Sequence, residues 1–148
     1  MKKILAIDSG TLTGWATNTE PITSGVQDFS LKRGESPGMR FLMFQKWFIQ
    51  MLETIKPDLV IYERAHHRGG APTEVGVGLT THLQSACTLM NVEYAAVHSK
   101  TLKKYATGKG NASKDSMMEA ATEKGWTFQD NNECDAQWLL DYAINTYG

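Results

Sequence analysis

The chain has 148 residues, of which 41% are hydrophobic, and its formal net charge is −1 at pH 7. This length predicts one domain with a substantial core, and no apolar run approaches the roughly 20 residues that a membrane span needs. The start, MKKILAID, has an apolar stretch too short for a secretory signal. Two cysteines, Cys87 and Cys134, suit neither a disulfide framework nor a zinc site. We therefore expect a cytoplasmic protein with no membrane partner.

The first third of the sequence predicts three strands and a long helix. Residues 2–8 include the continuously apolar run ILAI, which is typical of a strand buried on both faces. Two further β segments, TGWATNT and ITSGVQDFSL, are separated by turn-forming residues. From SPG at 36–38 onward, large apolar residues recur at three-four spacing until Pro57, which predicts an amphipathic helix.

Strands and helices then alternate. DLVIYE predicts a strand ending on Glu63, a glycine-rich loop follows, and a helix is expected over about 73–90. VEYAAVH predicts a fifth strand, two short helical segments flank ATGKGNAS, and a last helix begins near Asn131. This order predicts a single α/β domain over 1–148, with a central mixed five-stranded sheet flanked by helices.

Two acidic residues occupy unusual positions at the ends of apolar strands. Asp8 and Glu63 stand where the pattern would favour valine or isoleucine. Carboxylates so near a core are costly to bury and are usually paired or bound to a metal ion, although a single one often only caps a turn. Gly10 and Gly14 are expected to form a tight turn that leaves Asp8 open to substrate.

A third acid comes from the last helix. Asp135 lies beside the apolar stripe of that helix, and Asn132 is its neighbour on the same flank. Asp130 or Asn131 is expected to cap the helix. Three carboxylates from two strands and a helix suit Mg²⁺ or Mn²⁺ rather than zinc. Two such ions about 4 Å apart can hydrolyse a phosphodiester bond.

The segment between Glu93 and Asp115 contains no acidic residue but several lysines. These are Lys100, Lys103, Lys104, Lys109 and Lys114. Such a segment is often only a solvated surface, but it can also form a positive patch on a protein of near-neutral charge. Beside a carboxylate site, the patch would bind substrate phosphates and position the strand.

Taken together, these motifs resemble the RuvC-type crossover-junction endodeoxyribonucleases, especially the compact forms of phages, over nearly the whole chain. ILAIDSGTLTGWA resembles the first-strand motif of that family, PDLVIYE its fourth-strand motif and ECDAQWLLDYA its last-helix motif. The resemblance implies a ribonuclease H-like fold, with Asp8, Glu63 and Asp135 as ligands of two Mg²⁺ ions. TLKKYATGKGNASK resembles the family's basic stretch, in which two lysines eleven residues apart contact the junction, as Lys103 and Lys114 would here. If the chain is encoded by a phage, we expect it in the host cytoplasm.

The sequence departs from the family pattern at two positions. The family commonly has an acid where this chain has Asn132. The neutral oxygen of Asn132 would still ligate an ion or orient water. The expected consequence is weaker binding of the second ion or reduced activity. The family often has an aromatic wedge three residues after the second acid, where this chain has His66. His66 would stack less extensively, and His67 and Arg68 would meet phosphate.

The resemblance also implies a homodimer that nicks two like strands of a four-way junction, since dimer symmetry would match junction symmetry. The helix after Glu63 contains small residues at Gly76, Gly78, Ser85 and Ala86, in the region that the family uses to pair. The alternative is that these small residues only let the helix pack closely within its own chain.

Three other functions are compatible with the sequence. DSGTLTG also resembles the phosphate loop of actin-like ATPases, which would bind ATP without needing Glu63 and Asp135. A nuclease of the same fold could cut RNA or an RNA–DNA hybrid, but that substrate calls for groups that sense the 2′-hydroxyl. With Asn132 in place of an acid, the protein could also bind branched DNA with little or no cleavage.

Overall fold

The computed structural model describes residues 1–20, 23–64 and 71–148, with the side chains of 71–73 left out. The strands in these ranges are β1 (Ile4–Asp8), β2 (Leu12–Thr17), β3 (Thr23–Asp28), β4 (Leu59–Glu63) and β5 (Glu93–Val97). The helices are α1 (Gly38–Ile55), α2 (Ala71–Leu89), α3 (Ser99–Thr107), α4 (Lys114–Glu123) and α5 (Asn131–Tyr147). In the part of the chain that is described, no helix has the length and apolar character needed to cross a membrane.

The five strands form one sheet in the order β3-β2-β1-β4-β5. β1 pairs antiparallel with β2, and β2 pairs antiparallel with β3. On the other side, β1 pairs parallel with β4, and β4 pairs parallel with β5. The predicted mixed five-stranded sheet is confirmed. Because β1, β4 and β5 are parallel, their carboxyl ends lie at the same edge of the sheet.

Each face of the sheet has its own hydrophobic core, and successive residues of β1 point alternately into the two cores. Ile4 and Ala6 belong to the core beneath α5, α3 and α4. Leu5 and Ile7 belong to the core that contains the apolar residues of α1 and α2. All four side chains are fully buried, which confirms the prediction of a strand buried on both faces.

The helix ends follow local signals in the sequence. α1 ends at Ile55, and its C-cap residue Lys56 has a left-handed backbone (φ 52°) directly before Pro57. His98 caps α3 by accepting a hydrogen bond from the backbone N–H of Lys100, and Ser113 caps α4 in the same way. Asp130 caps α5, in agreement with one of the two predicted caps. α3, α4 and α5 therefore each begin after a residue whose side chain accepts a hydrogen bond from the first turn of the helix.

A buried carboxylate connects α5 to the edge strand β3. Glu133 is only 5% exposed. One of its oxygens accepts a hydrogen bond from the Ser24 hydroxyl at 2.6 Å, and the other accepts from the Gln129 backbone N–H at 2.8 Å. The first turn of α5 is therefore attached to β3 by a residue to which the sequence pattern assigned no role.

Replacing Glu133 by alanine is expected to destabilise the protein by about 2 kcal/mol, because two partly buried hydrogen bonds to its carboxylate are lost. Ser24→Ala, which removes one of these hydrogen bonds and keeps the carboxylate paired with Gln129, should cost about 1 kcal/mol. Urea denaturation of both variants measures the difference. Equal free energies of unfolding for Glu133→Ala and the unmodified chain would contradict this role.

Candidate metal centre

Asp8 and Glu63 are the last residues of two neighbouring parallel strands. The register pairs Ile7 with Tyr62, so Asp8 and Glu63 occupy the next position along each strand. Side chains alternate along a strand, so Asp8 points to the same face as Ala6. By the same alternation Glu63 points to the face of Ile61, and both Ala6 and Ile61 lie in the core beneath α5. The two carboxylates therefore face the helix that contains the third acid.

The first turn of α5 reaches this sheet edge because one residue of β2 has no side chain. Gly14 pairs with Asp8 across the β1–β2 ladder. A Cβ built on Gly14 would lie 1.9 Å from the carbonyl oxygen of Asn132 and 2.4 Å from its carbonyl carbon. The prediction that Gly14 belongs to a turn is wrong, since Gly14 lies within β2. Its role is to let the backbone of α5 approach the sheet beside Asp8.

This packing brings Asp8, Glu63 and Asp135 together. Each of the three side chains offers a carboxylate oxygen, and these oxygens all lie within 4.8 Å of one another. They line a cleft of about 340 Å³ together with Asn132. The other lining residues are Ser99, Leu102, Lys103, Ala112, Ser113, Lys114, Met117 and Asn131. A group of three carboxylates and an amide offers only oxygen ligands, which suit a hard divalent cation.

The electrostatics of the cleft favour binding of a cation. Burial, followed by the negative charges of Glu63 and Asp135, raises the pKa of Asp8 well above its usual value. Burial and the charge of Glu63 raise the pKa of Asp135 to about 7, against the opposing effect of Lys103 and Lys114. Without a cation, the site is therefore a set of carboxylates that repel one another, and a bound divalent ion would relieve that repulsion.

The metal-free protein is expected to lose stability as the pH rises from about 4 to about 7. The pKa of Asp135 is about 7 in the folded chain but near its usual value of 3.8 when the chain unfolds. Between these values the folded state binds more protons than the unfolded state, so each increase in pH favours unfolding. Each pKa unit corresponds to about 1.4 kcal/mol, so we expect a loss on the order of 4 kcal/mol across the full interval.

Urea denaturation in a chelator, at about pH 5 and about pH 7.5, measures the larger part of this loss. Asp135→Asn should flatten the dependence, because it removes one of the two groups with a raised pKa. A free energy of unfolding that rises over this interval would contradict the expectation.

The structure separates the lysines that were predicted to bind DNA into two groups. Lys103 and Lys114 line the cleft and lie close enough to Asp135 to oppose the rise in its pKa. Lys104 and Lys109 are exposed and are not among the residues that line the cleft. Lys103 and Lys114 are eleven residues apart in sequence, and both line the cleft because Lys103 lies on α3 and Lys114 is the first residue of α4.

Three further residues predicted to contact DNA, His66, His67 and Arg68, lie outside the described residues. Ser99 and Ser113 also line the cleft, although no role was predicted for them there. Ser99 is the first residue of α3, and Ser113 is the N-cap of α4. That helix-start pattern was the signal that could have identified them.

The architecture is that of the ribonuclease H-like α/β fold, with the acids at the sheet edge where strands β1 and β4 end and α5 begins. No protein-family model matches the sequence, and no curated protein matches it either. Solved structures do match it. The chain is similar to the RuvC of T. thermophilus in complex with a Holliday junction substrate, with 15% identity and a TM-score of 0.74 over 95% of this chain and 91% of that one.

One eukaryotic and one viral structure are also similar to this chain. The yeast mitochondrial Holliday junction resolvase has 15% identity and a TM-score of 0.66, over 93% of this chain and 75% of that one. The Fowlpox virus resolvase, solved with Holliday junction DNA, has 12% identity and a TM-score of 0.53, over 96% of this chain and 99% of that one. At these identities the likeness establishes the fold. The predicted ribonuclease H-like fold, shared with RuvC-type resolvases, is confirmed.

Proposed function

We propose that this protein is a metal-dependent endonuclease that resolves four-way DNA junctions by paired nicks. The observation that carries the proposal is the cleft in which Asp8, Glu63 and Asp135 converge beside Lys103 and Lys114. Among proteins of similar fold, the T. thermophilus and Fowlpox virus structures contain Holliday junction DNA. A cation site next to two lysines suits a substrate that has a phosphate at its reacting centre.

In this proposal Asp8, Glu63 and Asp135, assisted by Asn132, hold two Mg²⁺ ions, for which Mn²⁺ can substitute. When bound, such ions supply Lewis-acid activation of water and neutralise charge on the phosphate that is cut. The rigid ends of β1 and β4 hold Asp8 and Glu63 at a constant separation, and α5 adds Asp135 from above. Lys103 and Lys114 bind phosphate oxygens and orient the strand, and water is the nucleophile.

Cleavage assays with labelled DNA test the proposal. A four-way junction, a linear duplex, a single strand and an RNA–DNA hybrid should be incubated in Mg²⁺ and in Mn²⁺, with Asp135→Asn as the inactive control. We expect symmetric nicks in the junction and little cutting of the linear duplex. Preferential cutting of the hybrid would identify an RNA or hybrid nuclease instead. Tight junction binding without any cutting would identify a binding protein, an outcome that Asn132 would explain.

Lys103→Ala and Lys114→Ala are each expected to lower the rate of junction cleavage by about 10- to 100-fold, because both remove a positive charge from the cleft. Lys104→Ala is the matched control: it removes the same charge one residue away, on an exposed position outside the cleft. That variant should lose less than about threefold at moderate salt. Equal losses for Lys103→Ala and Lys104→Ala would indicate a general surface charge rather than a phosphate contact.

The ATPase alternative is disfavoured by the convergence of Glu63 and Asp135 on Asp8, which phosphate binding by the DSGTLTG loop would not require. Binding of labelled ATP to the isolated protein tests that alternative directly.

We also propose that the protein acts as a homodimer. Two of the small residues on α2 serve packing within the chain: a Cβ at Gly78 would lie 2.3 Å from the Phe41 ring, and Ala86 is buried. Pairing would therefore use other positions of α2, where Ser85 is exposed and Leu89 is 75% exposed. Sedimentation equilibrium of the unmodified chain and of Leu89→Asp tests this surface.

A further inference from the structure

Both carboxylate oxygens of Asp130 have a hydrogen-bonding partner in the first turn of α5. Oδ1 accepts from the backbone N–H of Glu133 at 2.9 Å, which is the helix cap. Oδ2 accepts from the side-chain Nδ2 of Asn132 at 3.1 Å. Capping therefore uses only one oxygen of Asp130, and the other holds the amide of Asn132 in place.

This second hydrogen bond determines which end of the Asn132 amide is available to the cleft. The nitrogen and the oxygen of an amide lie on opposite sides of one planar group, so fixing Nδ2 on Asp130 turns Oδ1 away from it. Asn132 lines the cleft with the three carboxylates, whereas Asp130 is not among the lining residues. Asp130 thus contacts Asn132 without itself lining the cleft.

The charge of Asp130 also extends to the carboxylates. It contributes to the raised pKa of Asp8 and to that of Asp135. A carboxylate that accepts a hydrogen bond from an amide polarises it and makes its oxygen a better ligand. Carboxylates commonly orient metal-bound histidines by the same arrangement.

We propose that Asp130 is a positioning residue that acts through Asn132. Asp130 orients Oδ1 of Asn132 toward the cation site and supplies the negative charge that an acid at position 132 would otherwise provide. The inference rests on the proposed function, since it concerns the same cation site. On this inference, Asp130 compensates for the absence of an acid at position 132, two residues later in the chain.

The alternative is that Asp130 serves only as a helix cap, and Asp130→Asn distinguishes the two. Asparagine caps helices about as well as aspartate, so this variant keeps the cap while removing the charge and one acceptor. Its thermal unfolding in a chelator should stay close to that of the unmodified chain. Asp141→Asn is the matched control, because Asp141 lies on the same helix but contacts Tyr105 and Lys124 instead of the cleft.

Calorimetric titration with Mn²⁺, without DNA, provides a readout independent of cleavage. We expect Asp130→Asn and Asn132→Ala each to weaken Mn²⁺ binding by about 3- to 30-fold, and Asp141→Asn to leave it unchanged. The double variant, Asp130→Asn with Asn132→Ala, should lose clearly less affinity than the product of the two single losses, because the orienting effect of Asp130 requires Asn132. The exchange variant, with Asp130→Asn and Asn132→Asp combined, should recover the affinity that Asp130→Asn loses.

Two outcomes would overturn the inference and leave the proposed function standing. One is unchanged Mn²⁺ affinity in Asp130→Asn, and the other is a double variant whose loss is the product of the two single losses. If the unmodified chain binds no Mn²⁺, the inference and the proposed cation site fail together. That result differs from the first two, since it affects every variant in the series.

Discussion

Replacing Asp8 by asparagine is expected to abolish junction cleavage and, at the same time, to stabilise the metal-free protein. Cleavage should fall by roughly a thousandfold or more, because the variant loses one of the three carboxylates proposed to hold the metal ions. The free energy of unfolding should rise by about 1–2 kcal/mol, since Asp8 is half-buried beside Glu63 and Asp135 and its charged form is disfavoured there. Lower activity together with higher stability is typical of a variant that removes a repelling charge from a ligand-binding site.

Cleavage rates in Mg²⁺ and thermal unfolding in a chelator measure the two effects separately. Adding Mg²⁺ should raise the unfolding temperature of the unmodified chain and have little effect on Asp8→Asn, because an ion that binds the folded state stabilises it. Asp141→Asn again serves as the control for loss of a carboxylate. A metal-free Asp8→Asn protein that is less stable than the unmodified chain would indicate a structural role for Asp8.

Replacing Gly14 by alanine is expected to destabilise the protein by about 3 kcal/mol and to weaken Mn²⁺ binding at least about tenfold. The added Cβ would lie 1.9 Å from the Asn132 carbonyl oxygen, far inside van der Waals contact. The obstacle is backbone of α5 rather than a flexible side chain, so the helix start or β2 must move. Either movement separates Asn132 and Asp135 from Asp8.

Gly10→Ala is the matched control for Gly14→Ala. A Cβ at Gly10 would meet only the backbone oxygen of Leu12, at an ordinary distance of 3.4 Å. Urea denaturation and Mn²⁺ titration of the two variants should therefore differ clearly. Similar values for both would mean that α5 adjusts to the alanine without disturbing the site.

The fold and the three acids of the cleft could be predicted from local patterns in the sequence. Continuous apolar runs identified β1 and β4, and the acid at the end of each run marked Asp8 and Glu63 as carboxylates at the edge of the core. Helical spacing placed Asp135 at the border of the apolar stripe of α5. These predictions succeeded because burial and periodicity are encoded by residues that are close together in the chain.

The close approaches at the site could not be predicted in this way. The sequence pattern placed Gly14 in a turn, whereas the structure places it opposite Asp8 and against the backbone of Asn132. The lysine segment looked uniform, yet only Lys103 and Lys114 of its five lysines line the cleft. Both features depend on how α3, α4 and α5 pack on the sheet.

The order of strands and helices, the apolar runs and the acids at the strand ends could all be derived from the sequence, since each follows from local hydrophobic periodicity. The hydrogen bond from Ser24 to Glu133, 109 positions later in the chain, and the approach of α5 to Gly14 became evident only in the folded protein. Contacts of this kind depend on distances of a few ångströms between elements remote in sequence. Such distances are set by the packing of the whole domain, which no local pattern contains.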